Sequence, residues 1–449
     1  MTKLNQGITV DPFNTFIKKL NITSNDDGSK SQSLIDANPV AFKYTEHLFR
    51  DSIEAEIIFK DTGGKYNGKS LVEGLPVVGT EDVALSFKDS YDNILKLDMV
   101  VNKVSTPESN TQTETVILSL TSEEFIRNHQ ESAIVNLRYD GRISDTVKSI
   151  LSSNLKSNTI GEIQETSNNY NFIGNRNKPL YILKWLAKKS FSGKDGKSGK
   201  TAGFIFYQNK DGYNFRSLDS LFAQSPREKF IYNETPEGVS VSSEMQDVKI
   251  TKFKIDNTLT ANRKLSMGAF NTKLILFDPF NCEFEEVVQK AEESDLELAA
   301  KKLPKLNKKF TDVPTRTTYV LKDTGTLPTG DVDEQLKLSD KEIFEPAKIL
   351  NQASRRYNQL ALYEIEIEIG LDLSYKVGDT VSIDNKSLNQ QEDGARNKMV
   401  GGKYLVMRLT HTLLGKNTTT KLGLVRDSIG RKPSKTNSIL DSIAWSIVL

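Results

Sequence analysis

Residues 363–370 read Tyr-Glu-Ile-Glu-Ile-Glu-Ile-Gly. Ile365, Ile367 and Ile369 alternate with Glu364, Glu366 and Glu368. Only an extended chain sends successive side chains to opposite faces, so the stretch predicts a strand with one dry and one wet side. The same period recurs through Ile53, Ala55, Ile57 and Phe59, then Val83, Leu85 and Phe87. It returns at Leu95, Leu97, Met99 and Val101 and at Val116, Leu118 and Leu120. Turn residues such as Gly63-Gly64 and Asn67-Gly68 separate these runs. Short alternating strands joined by tight turns predict an antiparallel barrel or sandwich. Residues 246–280 return to strand character, ending in the apolar run Leu274–Phe277. Further strands are expected over Val377–Ile383, Lys403–Thr412 and Thr419–Val425.

Helical signals fall between the two strand groups. Thr121 and Glu124 stand at capping-box spacing before Phe125 and Ile126. Ile143, Val147, Ile150 and Leu151 share one helical face. Pro179 suits the first turn of a helix carrying Leu183, Leu186 and Ala187. Two apolar segments around Asp211-Gly212 predict a hairpin. After Pro346 a helix is expected to carry Ile349, Leu350, Ala353 and Tyr357. Residues 284–345 are rich in Glu and Lys and predict a helix over Glu285–Lys302 followed by a linker. The first 43 residues are polar and read as an arm, with Phe13, Phe16, Ile17 and Leu20 forming one amphipathic turn. Residues Ile439–Leu449 are apolar, contain Trp445 and are too short to span a bilayer. They are expected to pack on another surface.

The composition excludes several function classes. The 449 residues carry 60 Lys+Arg against 59 Asp+Glu, a net charge of +1 that argues against a general nucleic-acid binder. One cysteine, Cys282, permits neither an intrachain disulfide nor a thiolate zinc cluster, and suits folding in a reducing cytoplasm. The opening MTKLNQGITV lacks a basic region followed by an apolar one, so no signal peptide is expected. No run reaches the roughly 18 apolar residues of a membrane helix. His47, His129 and His411 stand apart, so no histidine metal site is expected.

Some motifs tempt. Gly63–Ser70 matches G-x-x-x-x-G-K-[ST], in which Lys69 would reach phosphates and Ser70 a magnesium ion. Such a loop requires a helix straight after it, and Gly74, Pro76 and Gly79 argue against one. A polar hairpin turn is the expectation. Residues 192–201 have glycines one residue too far apart for that motif and read as a loop. No G-x-S-x-G presents a serine nucleophile. Cys282 lies beside an apolar run and is expected to be buried or partly buried filler. The basic stretch Ala300–Lys309 follows acidic residues and reads as an exposed, self-compensated segment. The three glutamates at 364, 366 and 368 read either as a solvated face or as a charged wall along a pore or interface.

Six stretches carry a family resemblance: GLPVVGTEDVALSF (74–87), YILKWLAKKS (181–190), AGFIFYQNKDGYNFRSLDSL (202–221), VKITKFKIDNTLTANRKLSMGAFNTKLILFDPF (248–280), VGDTVSID (377–384) and GGKYLVMRLTHTL (401–413). In order and texture the chain resembles the central baseplate hub proteins of T4-like contractile-tailed phages, above all cyanophage-like myoviruses. That family is itself related to the hub part of type VI secretion spike proteins. The resemblance implies an α+β, mainly β fold. It would have two tube-like antiparallel β-barrel domains, a mixed α/β intermediate domain and a charged helical insertion. The expected divisions are an N-terminal arm (1–43), a first tube domain (44–122) and an intermediate domain (123–238). A second tube domain (239–283 and 346–426), the insertion (284–345) and a C-terminal tail (427–449) follow. The resemblance further implies a non-enzymatic homotrimer with pseudo-sixfold symmetry in the virion's tail baseplate, synthesised in the host cytoplasm. Its partners would be the central spike, tail tube and baseplate wedge proteins, with genomic DNA passing through unbound and no membrane. Glu364, Glu366 and Glu368 are then candidates to line the channel. No catalytic residue, cofactor or metal is implied. A host-surface-binding tail component and a P-loop nucleotide-binding protein are the alternatives.

Overall fold

A computed structural model describes residues 15–25, 31–64, 66, 68–110, 112–192, 202–232, 250–256, 261–290, 299, 306–323, 325–327, 330–335, 345–360, 362–385, 400–413 and 418–428. The amphipathic turn's Phe13, most of the loop 192–201 and the tail from Ile439 lie outside these residues.

The first strand group comprises β1 (Thr15–Thr23), β2 (Ser31–Ser33), β3 (Pro39–His47), β4 (Glu54–Asp61), β5 (Asp82–Asp89), β6 (Ile94–Ser109) and β7 (Glu114–Thr121). The alternation read from the sequence sets their faces: Ala55, Ile57 and Phe59 are buried, as are Val83, Leu85, Phe87, Val116, Leu118 and Leu120. The N-terminal stretch departs from its expectation as an arm. From Thr15 it forms β1, antiparallel to β5, and β2 adds beside it. Leu20 and Ile22 supply the burial that holds it, and Phe16 and Ile17 lie in strand rather than in a helical turn.

The strands are staggered and bent. One edge of β6 pairs with β5 over Ile94–Val100, and the other pairs with β7 over Val100–Ser109. Register shifts occur at Val101/Lys103 and Ser105/Glu108. Pro107 lies within the second, where a missing N–H costs no ladder bond. Such bulges increase twist and bend a sheet.

Between the strand groups lies a compact α/β unit. It holds β8 (Arg138–Tyr139), β9 (Ile160–Ile163), β10 (Phe172–Ile173), β11 (Phe204–Asn209) and β12 (Gly212–Ser217). The helices Ile143–Ser149 and Pro179–Lys189 pack on them, and the second carries Pro179 in its first turn as expected. The short helix Glu123–Arg127 starts one residue later than its sequence signal, with Ser122 rather than Thr121 before it. The hairpin forms with Lys210 and Asp211 as its two loop residues, and Gly212 opens the return strand at φ +119°. Both faces of β11 are buried. Phe204 and Phe206 join the α/β core with Phe215 and Leu186, while Ile205 and Tyr207 join the core of the large sheet. The hairpin is therefore a wall shared by two cores.

The second strand group adds β13 (Lys229–Tyr232), β14 (Lys252–Asp256), β18 (Tyr363–Gly370), β19 (Thr380–Asn385), β20 (Gly402–Leu413) and β21 (Thr419–Arg426). These do not form a sheet of their own. β20 pairs with β3, giving one sheet of 13 strands whose main order is β14-β18-β21-β20-β3-β4-β7-β6-β5-β1-β2. β20 runs along β19 over Gly402–Leu405, bulges beside Met407 and then runs along β3.

The expected helix over Glu285–Lys302 is not formed in its described part. Glu283–Lys290 is strand β16, antiparallel to β15 (Asn271–Asp278), and β17 (Arg316–Leu321) lies parallel on the other side of β15. Residues 271–283 thus belong with the insertion's strands and not with the second strand group. Leu274, Leu276, Val287 and Val320 pack this sheet on Ala347 and Leu350 of the helix Pro346–Leu360.

Ten of that helix's 15 residues are buried, polar ones among them. Its polar residues are held by surrounding backbone and side chains. Asn351 donates to Val287 O at 3.2 Å, Gln352 accepts from Ala202 N at 2.9 Å, and Gln359 donates to Ala269 O at 2.8 Å. Buried polar groups are tolerated when bonded in this way.

Candidate assembly surface

The sheet's outermost strands are one part of the surface. Among the described residues, β14 pairs only with β18, and the Thr15–Lys19 part of β1 pairs only with β5. Each leaves a row of backbone donors and acceptors facing away from the sheet. Such edges recruit further strands unless something covers them.

The polar face is the second part. Ile365, Ile367 and Ile369 are buried, so Glu364, Glu366 and Glu368 lie together on the other side of β18. Their neighbours follow from register: Lys252 opposes Glu368, Lys254 opposes Glu366, and Lys421 opposes Glu368 from β21. Lys252 Nζ lies 2.9 Å from Glu368, Arg408 bonds Glu366, and Lys421 is 3.6 Å from Glu366. The three glutamates are therefore one stripe of a charge-compensated wall. Beyond Arg408 the same face continues through Thr410, Thr45, Lys43 and Glu56, with Lys43 and Glu56 3.9 Å apart.

The other motifs separate from this surface. Ser70 caps a single helical turn, Leu71–Gly74, by accepting from Glu73 N at 3.4 Å. The sequence argued against any helix here, and Gly74 and Pro76 do end it after four residues. Asp61 occupies the place where a phosphate would sit, accepting from Gly63 N at 2.8 Å and Leu71 N at 2.5 Å. A carboxylate there repels the anion that the motif would bind. Cys282 is exposed in the β15–β16 turn at φ +56°, not buried as expected, because the strand pairing lifts that turn away from the core.

Sequence reasoning missed the junction behind the sheet. Glu46 is fully buried and accepts from Tyr44 Oη at 2.8 Å, Lys210 N at 2.7 Å and Val377 N at 2.7 Å. One carboxylate thus joins β3, the α/β hairpin and the loop before β19. Burial pushes it up to about 7, against the pull of those donors. Lys210 Nζ donates to Leu373 O and Ser374 O, bracing the same place. The buried ring of His411 stacks on Tyr44 and meets Thr420 Oγ1 at 2.9 Å, and burial pushes it down to about 3. One signal was present in the sequence: Glu46 stands at the apolar parity of Phe42 and Tyr44.

No protein-family model matches this sequence, and no curated protein matches it. Solved structures do. A tail protein from Neisseria meningitidis MC58 superposes at a TM-score of 0.53 with 12% identity, over 93% of this chain and 98% of that one. The 43 kDa tail protein of prophage MuSo2 from Shewanella oneidensis gives 0.52 with 9% identity, over 91% and 98%. The E. coli c3393 protein, a component of the type VI secretion system, gives 0.39 with 9% identity, over 94% and 79%. The mainly β, α+β class expected from the sequence is borne out. The resemblance read there is borne out at the level of fold: nearly the whole chain is similar to tail proteins, one of them from a prophage.

Proposed function

We propose that this chain is a structural, non-enzymatic component of a phage tail, the central hub of a contractile-tail baseplate. Three copies form a pseudo-sixfold ring in which the two strand groups act as two tube-like domains. The ring joins the tail tube to the central spike, meets the wedge proteins and surrounds the DNA channel. One observation carries this reading: within a tail-protein fold, two strand groups merge into one bent, staggered sheet whose outer strands, among the described residues, pair on one side alone. Copies arranged around an axis satisfy those edges, and closed cyclic assembly needs such persistent interfaces. Electron microscopy and sedimentation of the purified protein, alone and with its spike partner, test it. A threefold ring with a central hole is expected. A compact monomer that stays single in both samples would sink it.

Glu364, Glu366 and Glu368 face the lumen in this reading. Three carboxylates stand beside four cations, Lys252, Lys254, Arg408 and Lys421. Phosphates passing such a wall meet little net attraction, so DNA slides. The triple variant Glu364→Gln/Glu366→Gln/Glu368→Gln removes three negative charges per copy and frees the cations. Double-stranded DNA should then bind the ring about tenfold or more tightly at low salt, with a steeper salt dependence. Unchanged DNA binding, read by fluorescence anisotropy, would place the glutamates away from the channel.

A further inference from the structure

The three-stranded sheet has two unlike faces. One packs on the helix Pro346–Leu360. The other faces outward, where register places Ile275, Phe277, Phe284, Tyr319 and Leu321 side by side, with Val288 beyond the Lys273–Glu286 ion pair at 2.7 Å. Phe284 is 67% exposed, Val288 51%, Tyr319 74% and Leu321 64%. The Phe277 and Phe284 rings lie 4.8 Å apart, and Phe280 and Cys282 are exposed in the turn at one end. Single exposed apolar residues are ordinary, but a contiguous aromatic and aliphatic face marks a contact site.

The chain itself supplies a matching occupant. Ser428, the last described residue, is buried beside Asp427, which binds Arg356 on the helix covering the sheet's other face. Ten residues, 429–438, follow before the apolar segment Ile439–Leu449. Fully extended, ten residues reach about 33–36 Å. Passing a helix and a sheet layer takes roughly 20 Å. The connecting stretch carries Arg431, Lys432 and Lys435, and the sheet's edge strand β16 exposes Glu283 and Glu285. Reach, charge and apolar character all agree.

We propose that residues 439–449 dock on the outer face of the three-stranded sheet of their own chain. Ile443, Trp445 and Ile447 cover Phe284, Tyr319 and Leu321, and the basic connector runs along the acidic edge. This is independent of the hub reading.

The difference in emission between the natural chain and Trp445→Phe isolates Trp445 from the chain's other tryptophan, Trp185. A blue-shifted signal shielded from iodide, unchanged on dilution, is expected. Tyr319→Lys/Leu321→Lys alters only exposed side chains and should move that signal to the red. Cysteines introduced singly as Ser442→Cys or Ser446→Cys should cross-link to Cys282 within one chain. A solvent-like Trp445 signal in the natural chain would overturn the proposal. So would cross-links formed only between chains, or shielding that appears only when another tail protein is added.

Discussion

Replacing Arg356 by Met is expected to lower the melting temperature by about 3–5 °C. The guanidinium is fully buried, with Nη1 2.8 Å from Asp427 and Nη2 3.0 Å from Asp219. Asp427 also accepts from Ala299 N at 3.0 Å and Ser428 Oγ at 2.8 Å. The three residues sit on the helix Pro346–Leu360, the short helix Leu218–Ala223 and the end of β21. One cation therefore fastens the α/β unit, the buried helix and the large sheet. Met keeps most of the volume but leaves two carboxylates without their cation in a dry site. Removing one partner of a buried ion pair costs about 3–5 kcal/mol, because the stranded charge stays desolvated. Arg356→Lys should rescue little, since one ammonium cannot reproduce two forked bonds. Adding Asp427→Asn to Arg356→Met should recover part of the loss, because it removes one stranded charge. Thermal unfolding of the three variants checks this. A loss under about 1 kcal/mol for Arg356→Met would mean that water reaches the site.

The alternation that marks the strands is legible because face and parity are local properties. Tyr363–Gly370 came through as a strand with its glutamates on one side, as did the strands from Glu54 to Thr121. Three kinds of feature were hidden. The first is pairing across sequence distance. Nothing near Thr45 or Thr410 announces that they oppose one another, so the union of two strand groups into one sheet could not be read. The second is composition overruled by a neighbour. Glu283–Lys290 has the residues of a solvated helix, but the apolar strand β15 offers it a ladder of backbone bonds and it extends. The segment Thr15–Thr23 is similar: Leu20 and Ile22 are buried in a run of Lys and Asn, and β5 supplies the rest. The third is a buried charge. Arg356 lies on the same helical face as Ile349 and Ala353, but its carboxylate partners lie 71 and 137 positions away, so spacing does not name them. The glutamate stripe was legible as a stripe, but the cations that compensate it come from three other strands, and sequence spacing does not carry that.

Glu46 makes the chain's stability depend on pH in a direction opposite to that of its buried histidine. The carboxyl is raised from an ordinary 4.5 to about 7 by burial. Between those values the unfolded chain has released its proton and the folded chain still holds it. Stability from Glu46 is therefore complete below about 4.5 and lost as pH rises through about 7, about 3 kcal/mol in all. His411 is lowered from 6.5 to about 3. The unfolded chain takes up a proton there first, so its contribution is complete above 6.5 and lost as pH falls through about 3. In the shared window the two trends offset each other, and the natural chain should show a shallow profile. Glu46→Gln deletes only the falling branch. It also turns an amide donor toward Lys210 N or Val377 N, an unmet bond costing about 1–3 kcal/mol at every pH. The variant should be clearly weaker than the natural chain at pH 4.5. The gap should close, or reverse, by pH 8, where the natural chain carries a buried negative charge. Urea unfolding from pH 4.5 to 8 reads the difference directly. Parallel profiles for the two proteins would show that the carboxyl titrates as if in water, and that the junction of β3, the hairpin and the loop before β19 is wetter than its geometry requires.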